Sequence, residues 1–207
     1  MTRDIRRELR SIRKDVDNAD DPSFDDGDIA TVVDGLTSDD GRTRSSAART
    51  LHESPSEIVP GETLRDPLVE TVEAGIEDEG KQARRAAEKA SRVLGEYQLE
   101  TRTVDDELTA LAERMVEVRN PFLRTGGAAL LGPALVVGEV DVGEDVIASL
   151  SEHITMSELL VESFERKLDN LQPVFLVFTE VDDAHSEAVA DSIETAAIET
   201  YLHTHHE

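Results

Sequence analysis

A pattern roughly forty residues long recurs along this chain, and helix pairs are what such a period folds into. The first copy is DIATVVDGLTSDDGRTRSSAARTLHE. Ile29, Val32, Val33 and Leu36 recur at helical spacing, Asp39, Asp40 and Gly41 make a turn, and a second helix carries Ala47, Ala48 and Leu51. In the second copy Leu68, Val72 and Ile76 lead through Glu77–Gly80 to Ala83, Ala86, Ala87, Ala90 and Leu94. In the third, Leu108, Leu111, Met115 and Val118 precede an Asn120-Pro121 turn, followed by Ala128, Ala129, Leu131 and Leu135. Paired small residues mark the register: Ala47 to Ala86 is 39 positions and Ala87 to Ala129 is 42. A fourth, degenerate copy starts near Glu144 with Val146, Ile147, Leu150 and Ile154 and continues into Leu159, Leu160, Phe164 and Leu168.

One helix pair cannot bury its apolar face alone, whereas stacked pairs can. The fold expected is therefore all-α: a short right-handed α-solenoid of about four to five helix pairs, entered through an N-terminal amphipathic helix. The pairs fall at 28–60, 62–98, 104–138 and 144–179, with a terminal helix at 180–207, and residues 1–22 supply the first helix and a linker. Ile5, Leu9, Ile12 and Val16 share one face of that first helix, with Arg3, Arg6, Arg7, Arg10, Arg13 and Lys14 around it. It reads as a cap docked on the first pair, with partner binding the rival reading.

Composition supports helices that pack closely. Aromatic residues are only 3% of the chain and there is no Trp, so the core must be built from Ala, Leu, Val and Ile. The formal net charge is −25, from 46 acidic and 21 basic residues. Apolar periodicity over long stretches argues against disorder. Abundant Asp and Glu with scarce Lys instead resembles the composition of proteins from extreme halophiles, archaeal ones included, where molar salt screens self-repulsion. Without Cys there is no disulfide or thiolate chemistry. The N-terminus has no apolar signal core, and no apolar run approaches the roughly 20 residues of a membrane span. The chain is accordingly expected to be cytoplasmic, with no membrane contact.

Turns followed by an arginine, a small pair and a leucine resemble HEAT repeats. Arg44 with Ala47, Ala48 and Leu51 carries the resemblance, and Arg84 with Ala86, Ala87 and Leu94 follows it less closely. It covers residues 28–135 well and 144–205 poorly. The third copy departs with Gly126-Gly127 where helix formers are usual, at about 1 kcal/mol each. The resemblance implies a protein-binding adaptor whose contacts come from the second helices. Arg44, Arg49, Arg85, Arg92 and Arg124 are the contact residues expected, since Arg is enriched at interface hot spots.

Catalytic, metal and cofactor sites are not expected. The motif signatures of phosphate loops, zinc proteases and nucleophile elbows are absent from the sequence. His203, His205 and His206 form a terminal tract that would bind metal only adventitiously. A single His52-Glu53 pair does not make the repeated His-Glu set of the deoxyhypusine hydroxylases, which HEAT repeats also build. A body this acidic argues against nucleic acid. Two rivals remain: a homo-oligomer closed through the apolar runs at 130–137 and 173–178, and an enzyme or enzyme-associated HEAT-like subunit.

Overall fold

The structure, a computed structural model, describes residues 4–138, 140–156 and 164–181. Among these residues all regular structure is helical. The elements are α1 (Ile5–Asn18), α2 (Asp26–Leu36), α3 (Gly41–His52), a 3₁₀ turn (Ser56–Ile58), α4 (Gly61–Glu77) and α5 (Lys81–Thr101). Then follow α6 (Asp106–Glu117), α7 (Pro121–Val137), α8 (Glu144–Met156) and α9 (Phe164–Glu180). The chain divides into two compact units, Met1–Arg102 and Thr103–Glu207. The turn of the fourth pair with Leu159 and Leu160, the side chains of Ile154, Phe164 and Leu168, and everything from residue 182 onward lie outside the described residues, the histidine tract included.

In the first unit α2 pairs with α3 and α4 with α5; α2 also touches α4, and α3 lies along α5. In the second unit α6 pairs with α7, α6 touches α8 and α7 lies along α9. Each unit thus repeats one rule: first helices touch first helices, and second helices touch second helices.

The register behind this rule is forty residues, tighter than the spacing of the alanine pairs suggests. The second helices start after Asp40, Gly80 and Asn120. Asp40 accepts from the Arg42 and Thr43 amides, and Asn120 Oδ1 accepts from the Phe122 and Leu123 amides at 3.0 and 3.3 Å, each satisfying orphan donors of the first turn. Val32, Val72 and Ala112 hold one buried position of the first helices, and Thr43, Ala83 and Leu123 one of the second.

Helix pairs approach closely where the register places small residues face to face. A Cβ on Gly35 would lie 2.8 Å from that of Ala47. Forty residues on, a Cβ on Gly75 would collide with the Ala87 methyl and lie 2.9 Å from the Ala83 carbonyl oxygen. In the third pair the sizes are exchanged, with Met115 on the first helix opposing Gly127 on the second. A Cβ on Gly127 would come 2.6 Å from Val116 Cγ2 and 2.7 Å from the Ala112 carbonyl oxygen. The glycine that departs from the repeat pattern is thus the residue that admits Met115. Its helix-propensity cost of about 1 kcal/mol is set against burial of that side chain, worth about 1.5–3 kcal/mol.

Arg44, Arg84 and Arg124 occupy one register position, and each has its Nε buried with no hydrogen-bond partner. Arg44 Nη1 donates to the Ser38 carbonyl oxygen at 2.8 Å, bracing its own turn. Arg124 Nη2 donates to Glu152 Oε2 on α8 at 2.8 Å, joining one pair to the next.

α1 docks on α2 and α3, with Leu9, Ile12 and Val16 buried. The apolar run at 130–137 is buried through Ala134, then opens to solvent at Val136, 48% exposed. Pro173 lies inside α9, where Leu171, Val174, Val177 and Phe178 are buried.

Candidate functional site

Register also exposes an anomaly. At the position where the first and third pairs carry Ala48 and Ala128, the second carries Glu88, 9% exposed. A carboxylate cannot enter such a slot unpaired. Arg92, one turn on along α5, donates from Nε to Glu88 Oε1 at 2.7 Å.

Around this pair α1, the end of α3 and the middle of α5 gather further charges. Arg49 Nε donates to Glu53 Oε1 at 2.6 Å, and Arg13 of α1 reaches Glu53 Oε2 at 3.2 Å. Burial opposes ionisation of Glu53, but the hydrogen bonds and charges of Arg49 and Arg13 outweigh it and hold its carboxyl below the usual range. Lys89 is held below the usual lysine range, chiefly by burial, with Glu88, Glu53, Arg49 and Arg92 all acting on it. His52 is pushed down to about 4, first by burial and then by Lys89 and Arg92. It is therefore neutral at pH 7, and its Nδ1 is buried without a hydrogen-bond partner.

Of the arginines expected to make contacts, Arg49 and Arg92 come together here. Arg85 lies half-buried two turns before Arg92 on α5. Arg44 is folded against its own turn, and Arg124, 5% exposed, lies in the second unit bonded to Glu152. Arg13, Glu53, Glu88 and Lys89 were not among the expected contacts. Aligning the copies at forty residues, so that Glu88 falls on Ala48, is the signal that finds them.

The second unit has a smaller polar centre. His153, 6% exposed, shares a 3.2 Å hydrogen bond between Nε2 and Thr125 Oγ1. Burial, and then Arg124, push it down to about 4. Glu152, which accepts from both Arg124 and Arg119, is held below the carboxylate range by those bonds.

A crevice lined by Ser56, Val59, Leu68, Val93, Glu96 and Tyr97 has a volume of about 10 Å³, room for one water molecule. Burial, and then the Glu100 charge, raise Glu96 there. Among the described residues no group of three His, Asp or Glu could hold a metal ion, and no helix is long and apolar enough to cross a membrane. The chemistry on offer is that of charged surface rows: guanidinium and ammonium donors with two fixed carboxylates among them. No family model, curated protein or solved structure matches this chain.

Proposed function

We propose that this chain is a non-catalytic protein-binding adaptor of the HEAT-like helical-repeat kind, working in a salt-rich cytoplasm. The observation that carries the reading is the forty-residue register of caps, small residues and arginines, with second helices laid on second helices. Such stacking lines up equivalent side chains of successive second helices into a continuous surface, which suits extended contact with a polypeptide. Arg49, Arg85 and Arg92 lie on that surface; Arg44 and Arg124 have their guanidiniums engaged inside the fold.

The test is affinity capture from native extract in molar KCl with the whole chain as bait, followed by peptide mass analysis. One partner polypeptide in fixed ratio is the expected result. Recovery of the bait alone would overturn the reading.

A further inference from the structure

Charge in the first unit is segregated by layer. The first helices α2 and α4 carry −3 and −4. The second helices α3 and α5 carry +3 and +2, and α1, docked on both α2 and α3, carries +2. A +5 layer against a −7 layer, in a chain of net −25, is not what a uniformly acidic hydration shell produces.

Apart from Arg44 and Arg84, whose Nε atoms are buried, the cations of α1, α3 and α5 form ridges. On α1, Arg6 and Arg10 are exposed and Arg13 half-exposed, at i, i+4 and i+7, with exposed Lys14 beside them. On α3, Arg42 and Arg49 are exposed and stand seven residues apart. On α5 the ridge is Lys81, Arg85, Lys89 and Arg92, with Lys81 exposed and the others half-buried. The ridges adjoin. Arg6 acts on Asp40 at the start of α3, and Arg13 binds Glu53 just past its end. Arg49 and Glu53 in turn act on Lys89. Between the ridges Glu53 is clasped by Arg49 and Arg13, and buried Glu88 by Arg92; Asp15, Asp17 and Asp40 are the exposed carboxylates beside them.

Resting on the adaptor reading above, we infer that the α1/α3/α5 face is the docking surface, and that it receives a carboxylate-rich segment of a different protein. Charge complementarity selects the occupant. A nucleic acid brings an unbroken row of phosphates that the acidic remainder of the chain repels, whereas a short polypeptide segment can confine its carboxylates to this face. An anionic membrane surface would attract these cations but repel the net −25 chain behind them, and the apolar face of α1 is spent on α2 and α3 rather than left to insert. A second copy has acidic helices to offer, but basic face to acidic face is a head-to-tail contact, which builds rings or open polymers rather than a two-fold dimer.

Lysine placement makes the face testable. Of the four lysines, Lys14, Lys81 and Lys89 lie on it, and Lys167 lies on α9. The tagged full chain is treated in native extract with a zero-length carbodiimide, which joins an amine to a carboxylate already in contact, and the linked peptides are mapped. Expected are links from Lys14, Lys81 or Lys89 to Asp or Glu of another polypeptide, unchanged by nuclease. In Arg10→Glu/Arg42→Glu/Arg49→Glu their yield should fall about tenfold. In Glu62→Lys/Glu70→Lys on α4 it should change less than twofold, with circular dichroism confirming that both variants remain folded. A captured protein linked only through Lys167, or held equally by both variants, overturns the face and leaves the adaptor reading standing. Links between two copies, or recovery abolished by nuclease, overturn the choice of occupant. Absence of any captured protein overturns both.

Discussion

Glycine and histidine report most directly on how tightly this chain is packed. Gly75 faces Ala87 and the Ala83 carbonyl with no room for a methyl group, so Gly75→Val forces α4 away from α5. Overpacking of this kind costs about 1–3 kcal/mol, readable as a lower urea midpoint at unchanged slope. His153 carries a pH signature. Its folded value of about 4 lies below its ordinary 6.5, so between these two pH values the unfolded chain binds a proton that the folded chain refuses. Stability contributed by His153 is therefore complete above pH 6.5 and is lost as pH falls towards 4, by at most about 3 kcal/mol. His52 adds a loss of the same sign in the same window. Glu53 and Glu152, held below 4.5 by their arginines, add theirs only at lower pH. His153→Gln, which keeps a hydrogen-bonding group against Thr125, should flatten unfolding free energy between pH 6.5 and 4.5; an unchanged slope would show that His153 is not kept neutral.

At the scale of elements, what could be read in advance was what repeats. Apolar spacing placed both helices of the first three pairs, and acidic or Asn-Pro turns placed their junctions, because periodicity and capping are local properties. The register was misjudged by one or two residues, since alanine pairs are frequent in any helix and mark packing only when the facing residue is known. Gly127 looked like a defect until Met115 was seen opposite. Glu88 was passed over because a glutamate in a helical run reads as solvated, and only the third dimension shows it in an alanine's slot. The reading of α1 as a docked cap matches its buried face. Leu9, fully buried between α2 and α3, makes the consequence measurable: Leu9→Ala should destabilise the first unit by about 2–5 kcal/mol. A loss under half a kcal/mol in thermal unfolding would mean that α1 rests loosely on the body.

For the whole molecule, charge decides the conditions under which the structure persists. A net −25 repels itself in dilute buffer. At molar salt the screening length shrinks to about 3 Å, leaving contact ion pairs such as Arg92–Glu88 while long-range repulsion fades. Thermal midpoint should therefore rise with KCl, by about 2–4 °C for each kcal/mol of repulsion removed. A midpoint that is flat or falls would detach the acidic surface from salt adaptation. Against this background the cationic α1/α3/α5 face stands out as the surface where an acidic chain can receive another protein.

The most direct test of an adaptor is the mass of the assembly it occupies when purified from its own cells in molar KCl. Light scattering coupled to size exclusion is predicted to give the mass of one chain plus one other polypeptide in fixed ratio. A mass equal to the single chain, or to a whole-number multiple of it, would contradict the account.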